Sequence, residues 1–230
     1  MSLQLEEVVP WGRTMDEYVR MFDLSNGELS LRMLGVGDGP ASFNAEMTQQ
    51  GRRVVSCDPI YRFSGEEIRG RVEATCGRMV AAAREHADLF NWDVITSPEE
   101  LGRIRLGAME KFLADYDAGK REGRYVWAEL PRLPMADGSF DLAVCSHLLF
   151  LYAEQISFEV HLAGVVEMAR VAREVRIFPL LALGNVPSPH VSPVREALLS
   201  GGYECAIRRV PYEFQKGGGE MMVVSRAGST

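Results

Sequence analysis

The clearest chemistry in this sequence belongs to three glycines and to a carboxylate that follows them. Gly35, Gly37 and Gly39 stand at alternate positions after the apolar run 31–36, and Asp58 closes a second apolar run. Glycine lets a backbone turn sharply and approach a ligand closely, because it has no Cβ. A carboxylate about 20 residues further on is placed to accept hydrogen bonds from ribose hydroxyls. The pattern therefore predicts a strand, a turn, a helix and a second strand that hold a nucleoside-containing cofactor.

The spacing of the glycines and a later segment narrow the choice of cofactor. The dinucleotide fingerprint is G-x-G-x-x-G, whereas this turn is G-x-G-x-G with Pro40 in place of the third glycine. Downstream, residues 129–152 read ELPRLPMADGSFDLAVCSHLLFLY. In this order the two segments resemble class I S-adenosylmethionine-dependent methyltransferases of the small-molecule type. Those enzymes carry an L-P-x-x-D-x-S-F-D run before the fourth strand. The resemblance covers residues 31–60 and 125–226.

The resemblance implies a fold and a function. The fold is a single α/β domain over 1–230, Rossmann-like and doubly wound, with a mostly parallel seven-stranded sheet ending in an antiparallel hairpin. The function is methyl transfer from S-adenosylmethionine to an unidentified small molecule. The three glycines would then pass under the methionine part of the cofactor. Asp58 would take the ribose hydroxyls, with Pro59 and Ile60 beside the adenine.

Further site residues also follow from the resemblance. Glu129 falls where the family usually has an aspartate that faces the adenine amino group, and Leu130 would offer a backbone amide there. Ser146 and His147, just after the fourth strand, would face the reactive end of the cofactor. His147 is the candidate catalytic base, with a loop histidine bonded to backbone as the alternative.

One departure from the family pattern bears on activity. The family usually carries an acidic residue two positions before the first glycine, where it contacts the amino acid portion of the cofactor. Here that position is Met33. Asp38 inside the turn is a candidate substitute, and Arg13 is a candidate partner of the cofactor carboxylate through a charge-assisted hydrogen bond. The departure leaves open a non-catalytic S-adenosylmethionine-binding protein of the same fold, and an NAD-type oxidoreductase is a second alternative.

Composition is that of a globular enzyme. The chain has 230 residues, a formal net charge of −7 and no dense cluster of lysine and arginine, so nucleic acid binding is not expected. The N-terminus lacks a basic-then-apolar signal pattern, and no run of about 18 apolar residues predicts a membrane span. We therefore expect a cytoplasmic protein. The oligomeric state stays open, with a homodimer as one option.

The cysteines and histidines do not predict a metal site. The four cysteines form no C-x-x-C pair, and the histidines show no H-E-x-x-H spacing. Cys57 and Cys145, at the ends of predicted buried strands, are expected to be reduced apolar filler. His161, on a mostly apolar helix face, is expected to be a satisfied core histidine. His190 is expected to be a turn residue.

The remaining pattern places these residues on elements. Apolar runs predict strands at 31–36, 53–57, 124–128, 140–145 and 174–183, followed by a hairpin of 203–214 and 220–226. The segment 1–30 is predicted to be a helical cover. The stretch 61–122 is too long for one crossover and predicts a helical insertion between the second and third strands. We expect it to form a lid with the segment around Trp11, Arg13 and Tyr18. The alternatives are packing on the outer face of the domain and a dimer contact.

Overall fold

The computed structural model describes residues 11–228. The strands are β1 (Met33–Val36), β2 (Val54–Cys57), β3 (Tyr125–Val126), β4 (Phe140–Ser146), β5 (Ala172–Phe178), β6 (Leu181–Ala182), β7 (Val186–Pro187), β8 (Tyr203–Arg209) and β9 (Glu220–Arg226). The helices are α1 (Met15–Met21), α2 (Phe43–Gln49), α3 (Gly65–Glu85), α4 (Pro98–Arg121), α5 (Phe158–Val171) and α6 (Val191–Ser200). Short 3₁₀ turns cover Glu28–Ser30, Pro59–Arg62 and Ala87–Leu89.

The main sheet has seven strands in the order β3-β2-β1-β4-β5-β9-β8. The first five run parallel, whereas β9 pairs antiparallel with both β5 and β8. The chain reverses its direction of winding between β1 and β4, and ligands of open α/β sheets bind beside such a switch point at the carboxyl ends of the strands. The expected Rossmann-like, doubly wound fold, with a mostly parallel seven-stranded sheet that ends in an antiparallel hairpin, is confirmed.

Helix starts follow the local capping signals. The side chains of Thr14 and Ser64 each accept the N–H of the third helical residue, a glutamate whose carboxylate accepts the N–H of the cap residue, so both form capping boxes. Ser97 caps α4, and Pro98 occupies its first turn. These three helices therefore begin at capping signals in the sequence.

The fifth strand is shorter than its apolar run suggests. The run 174–183 predicts one strand, but β5 ends at Phe178, and Leu181–Ala182 forms a separate small hairpin with β7. Pro179 has no backbone N–H to donate to a sheet ladder, so the strand stops before it. The third strand is also shorter, since only Tyr125–Val126 pairs with β2.

The stretch between β2 and β3 consists of α3, a connection and α4. Helix α4 packs on α2 and on β3, so it takes the place of the usual crossover helix. Helix α3 packs on α4 and buries only Ile68, Val72 and Ala83 of its 21 residues. The additional elements relative to a simple crossover are thus α3 and the connection 86–97.

The sheet separates two apolar layers. Leu34 and Val36 pack with α5 and α6 on one face, whereas Met33 packs with α1 and α2 on the other. Successive side chains of a strand point to opposite faces, which explains this division. Met33 is fully buried, so the position where the family carries an acidic side chain is here part of the core. Cys57 and Cys145 are buried free thiols, as expected.

Within residues 11–228, no helix combines the length and the apolar character that crossing a membrane would require.

Candidate active site

The glycine turn lies at the carboxyl end of β1 and is tied to its neighbours. Gly37 and Gly39 have φ values of 71° and 53°, in the left-handed region that favours glycine. The Gly37 N–H donates to the carbonyl of Cys57 at 2.8 Å, and the Tyr61 hydroxyl donates to the carbonyl of Gly39 at 2.7 Å. The turn is therefore fixed against the end of β2 and the 3₁₀ turn after it.

Asp58 ends β2 and points its carboxylate at the glycine turn. One oxygen accepts the N–H of Gly39 and the other accepts the N–H of Ile60, each at 2.8 Å. Burial raises the pKa of Asp58 to about 6, and the charge of Glu129 adds to the rise. Each oxygen keeps a second lone pair, so the oriented carboxylate is free to accept further hydrogen bonds.

Asp38 turns inward beneath the turn. Its carboxylate is 6% exposed and accepts the hydroxyls of Tyr18 at 2.7 Å and Ser56 at 2.6 Å. Burial raises the pKa of Asp38 to about 7. A Cβ added to Gly35 would lie 1.8 Å from the carboxylate, so Gly35 has to be glycine because Asp38 lies against it. Asp38 thus fastens the turn to α1 and β2.

Leu148 covers the middle of the turn. A Cβ added to Gly37 would lie 2.6 Å from Cδ2 of Leu148, where the methionine portion of a cofactor is expected to pass. The sequence marks Leu148 only as one apolar residue in the run after β4, so its place over the turn is set by the tertiary structure. A ligand that lies along Gly37 has to displace this side chain.

His147 and Ser146 follow β4 at the same edge. His147 has a φ of 53°, and its Nδ1 lies 2.8 Å from Oγ of Ser146. Its ring packs edge-on against Phe178 with centroids 5.4 Å apart. Burial, together with the positive charges of Arg13 and Arg105, lowers the pKa of His147 well below its ordinary value. The imidazole is therefore neutral near pH 7.

Arg13 lies where the N-terminal segment crosses the start of α2. Its carbonyl accepts the N–H of Ser42 at 3.0 Å, and a Cβ on Gly12 would lie 2.1 Å from the carbonyl oxygen of Pro40. One terminal nitrogen donates to the carbonyl of Trp11 at 2.9 Å, whereas Nε is shielded from solvent without a partner. Burial, and then the charge of Arg105, lowers the pKa of Arg13 to about 10. Arg13 is an incompletely paired cation beside the turn.

A buried ion pair that the sequence did not single out lies next to Arg13. Arg105 of α4 contacts both oxygens of Glu17 in α1, and both side chains are at most 3% exposed. The hydroxyl of Tyr212, in the β8–β9 connection, donates to Glu17 at 2.7 Å. Burial opposes ionisation of Glu17, but Arg105 outweighs it and holds the pKa of Glu17 well below its usual range. The sequence contains one signal for this ion pair: Arg105 is a charged residue within the apolar face of α4 that begins at Leu101.

Glu129 and Leu130 follow β3 at the same edge of the sheet. Glu129 is exposed, and its charge reaches Asp58. Leu130 packs against α5, where a Cβ on Gly164 would lie 3.2 Å from it. Pro59 and Ile60 are half-buried beside Asp58. The structure therefore brings the predicted site residues to one edge, with Asp38 beneath the turn rather than facing outward.

His161 and His190 have structural partners. Nε2 of His161 accepts the N–H of Phe150 at 3.0 Å, and Nδ1 lies 2.8 Å from the carbonyl of Ser157, so His161 is a satisfied core histidine, as predicted. His190 donates to the carbonyl of Ala153 at 3.0 Å. Among the residues that the structure describes, no cluster of three or more His, Cys, Asp or Glu side chains could hold a metal ion.

An aromatic cluster joins the connection 86–97 to two other parts of the chain. Phe90 of the connection 86–97 stacks on Phe214 of the β8–β9 connection with ring centroids 4.9 Å apart, and Trp11 packs on the same cluster. The Asn91 N–H donates to the carbonyl of Phe214 at 2.8 Å. Part of the insertion thus meets the N-terminal segment and the terminal hairpin loop.

Known structures with a similar arrangement include methyltransferases. The magnesium protoporphyrin IX methyltransferase of Synechocystis PCC 6803, solved with bound S-adenosylmethionine, has a TM-score of 0.49 and 16% identity, covering 93% of this chain and 78% of that chain. A S-adenosylmethionine-dependent methyltransferase of Aquifex aeolicus has a TM-score of 0.42 and 15% identity, with 90% of each chain covered. A putative enzyme of the same kind from Methanococcus maripaludis has a TM-score of 0.46 and 12% identity, covering 92% of this chain and 83% of that chain.

The sequence itself matches no family model. It is 30% identical over 229 residues to an uncharacterized protein of Methanocaldococcus jannaschii, and the match covers 97% of this chain and 99% of that protein. Since the identity extends over nearly the whole of both chains, this protein belongs to the same family as the uncharacterized M. jannaschii protein.

Proposed function

We propose that this protein transfers a methyl group from S-adenosylmethionine to a small molecule. The observation that carries the proposal is the oriented carboxylate of Asp58, which lies against the left-handed glycine turn at the switch point of the sheet. A nucleoside cofactor needs a carboxylate for its ribose and a close backbone approach for the rest of the molecule. The residues at this edge offer both.

The adenosine end of the cofactor fits the tips of β2 and β3. Asp58 would accept the ribose hydroxyls on the lone pairs that Gly39 and Ile60 leave free. Pro59 and Ile60 are half-buried and supply an apolar surface for the adenine. Glu129 is exposed beside Asp58, where it would accept from the adenine amino group, with the amide of Leu130 beside it.

The methionine end fits the glycine turn and the N-terminal segment. Gly37 and Gly39 leave room for this portion once Leu148 moves, whereas the space beside Gly35 holds Asp38. Arg13 would pair with the cofactor carboxylate, which supplies the anion that its partly buried guanidinium lacks. The carboxyl group of Asp38 lies under the turn, on the side where the cationic amino and sulfonium groups would lie.

The chemistry at the acceptor end is mainly that of orientation. Bound here, S-adenosylmethionine supplies an activated methyl group. Alignment of an acceptor with that methyl can contribute about 7–11 kcal/mol, and a base is needed only for acceptors that lose a proton. Neutral His147 can accept such a proton at Nε2, with Ser146 fixing its ring through Nδ1. We assign His147 as the catalytic base.

The acceptor is proposed to be small because the run 133–141 resembles that of small-molecule methyltransferases. The net charge of −7 and the lack of a dense cluster of lysine and arginine in the sequence argue against a nucleic acid. The role of lid for part of 61–122 is supported by its start directly after Asp58, at the edge where ligands of such sheets bind.

Isothermal titration separates this proposal from its alternatives. We expect S-adenosylmethionine and S-adenosylhomocysteine to bind with micromolar Kd or tighter, about −8 kcal/mol, and NAD not to bind. Binding of NAD alone would favour an oxidoreductase. A non-catalytic binding protein, which the buried Met33 and the position of Leu148 keep open, would bind both sulfur ligands yet transfer no methyl group to any acceptor in a labelled-methyl screen.

A further inference from the structure

Glu17 accepts hydrogen bonds from its own helix cap and from two distant parts of the chain. Its carboxylate accepts the N–H and the hydroxyl of Thr14 at 2.9 and 3.1 Å, and both terminal nitrogens of Arg105. The hydroxyl of Tyr212 completes the set at 2.7 Å. The N-terminal helix, the crossover helix α4 and the β8–β9 connection therefore meet at one buried carboxylate.

This cluster lies within electrostatic reach of the proposed site. Arg13 directly precedes the capping residue Thr14, and the charge of Glu17 stabilises the Arg13 guanidinium. The charges of Arg13, Arg105 and Glu17 all act on His147. The residues that hold Glu17 in place therefore also set the position of Arg13 and the electrostatic field at the end of β4.

We propose that Arg105 is a positioning residue for the cofactor. By holding Glu17, it fixes the capped start of α1 and so the point at which Arg13 meets the carboxylate of the methionine portion. The inference rests on the proposed function, since it concerns the same cofactor. It makes α4 part of the binding site rather than only a crossover.

A purely structural role does not account for the arrangement. Buried ion pairs contribute no more to stability, as a rule, than apolar side chains of similar volume. An apolar pair at these positions could fill the space, but it would leave the donors of Thr14 and Tyr212 without their common acceptor. The cluster therefore supplies orientation, and the residue that it orients beside the glycine turn is Arg13.

The test replaces the ion pair without leaving a lone buried charge. In the double variant Glu17→Met with Arg105→Met, we expect a Tm within a few degrees of wild type. The Kd of S-adenosylmethionine should rise by about tenfold or more. The Kd of 5′-methylthioadenosine should change by less than about threefold, because that ligand lacks the amino acid portion that Arg13 holds.

A control is available away from the glycine turn. Arg176 of β5 pairs with Glu28, with side chains that are 7% and 28% exposed, and it also pairs with Glu174. The double variant Glu28→Met with Arg176→Met removes this partly buried ion pair and leaves Glu17 and Arg105 in place. We expect it to bind both ligands as wild type does.

The outcomes are distinct. A folded Glu17→Met, Arg105→Met protein that binds S-adenosylmethionine as wild type does overturns the proposal, and so does an equal loss for both ligands. If the double variant does not fold, Arg105→Lys keeps the charge, and selective loss of S-adenosylmethionine binding is again required. A wild-type protein that binds neither ligand refutes the proposed function itself, which the titration of the wild type detects first.

Discussion

Asp58 and Glu17 are two carboxylates whose pKa values the protein shifts in opposite directions. Asp58 is half-buried and receives two backbone N–H groups but, within residues 11–228, no ion pair, and desolvation raises its pKa to about 6. Glu17 is fully buried, but Arg105 holds its pKa well below the ordinary value. One carboxylate is left incompletely compensated at the glycine edge, whereas the other is fully compensated between α1 and α4.

The difference separates the carboxylate that we propose contacts a ligand from one that holds the elements around it in place. A desolvated carboxylate without a counterion raises the free energy of the unliganded protein. Hydroxyl donors on a positively charged ligand would lower it again. A carboxylate with five donors needs nothing further and loses much when one donor is removed. Neutralising Asp58 should therefore affect binding, and neutralising the partner of Arg105 should affect stability.

The largest expected effect is on stability at the compensated carboxylate. Glu17→Ala leaves the Arg105 guanidinium buried without its partner, so the free energy of unfolding should fall by about 3–5 kcal/mol. Urea unfolding measures it. The control is Asp16→Ala in the same helix, whose side chain is 74% exposed and pairs with Arg20, and it should cost less than about 1 kcal/mol. Equal losses would show that the buried pair has no special role.

The second effect concerns pH and Asp38. Its pKa of about 7 lies above the ordinary 3.8, so the folded protein holds the proton more tightly than the unfolded chain. Protonated Asp38 therefore contributes to the free energy of unfolding. The contribution is complete below pH 3.8, the ordinary pKa, and is lost as the pH rises through about 7. Asp38→Asn removes the dependence, so its stability relative to wild type should rise between pH 5 and pH 8 by on the order of 2–4 kcal/mol.

The measurement for Asp38 is urea unfolding at both pH values. Asp23→Asn, at an exposed turn, is the control and should follow wild type at each pH. A constant difference between Asp38→Asn and wild type would show that Asp38 is ionised in the folded protein throughout this range. It would also remove the contrast between the carboxylates with a raised pKa near the glycine turn and Glu17, whose pKa is lowered by Arg105.

The third prediction uses two glycines that have the same φ angle. Gly37 and Gly51 both have a φ of 71°, but a Cβ on Gly37 would meet Leu148, whereas Gly51 has open space. Valine at either position should cost about 1–3 kcal/mol of stability through backbone strain. Only Gly37→Val should abolish titration with S-adenosylmethionine. Loss of binding in both variants would mean that strain alone, and not the site, is responsible.

The fourth prediction tests the uncompensated carboxylate directly. Asp58→Ala removes the proposed ribose acceptor, so S-adenosylmethionine should bind more weakly by about 1–3 kcal/mol. The unfolding free energy without ligand should change less than it does for Glu17→Ala. Titration and urea unfolding on the same preparation measure the two quantities. A variant that loses stability but keeps its affinity would reverse the roles assigned to the two carboxylates.

The smallest effect is expected in hydrogen exchange. If part of the insertion is a lid, residues 61–75 and 11–18 should gain protection when S-adenosylmethionine binds, because a bound ligand suppresses local opening of the segments that cover it. The segment 86–97, which meets Phe214, should gain protection as well. Protection confined to the glycine turn and the strand tips would mean that α3 and the connection 86–97 have a structural role and do not form a lid.

The features that the sequence determined are those that short windows encode. The glycine turn and Asp58 follow from adjacent apolar runs, and the capping boxes at Thr14 and Ser64 depend on residues three positions apart. The order of elements then left few topologies for a sheet with a terminal hairpin. His161 was also predictable, because a histidine on an apolar helix face has to find partners when buried.

Met33, Asp38 and Leu148 show what the sequence left open. Met33 stands where the family carries an acid, but the structure assigns it to the face of β1 under α1 and α2. Asp38 points inward and Leu148 lies over Gly37, although both residues occupy loops whose direction no local pattern fixes. Side-chain direction in such loops is decided by neighbours from other elements.

The cluster around Glu17 marks the limit of sequence reasoning most plainly. Arg105 and Tyr212 lie 88 and 195 positions along the chain from Glu17. No periodicity or cap links residues at those separations, because they meet only after the helices have packed on a common sheet. Local steric and hydrogen-bonding rules determined the elements of this protein, while packing between distant elements decided which buried charges have a counterion and which do not.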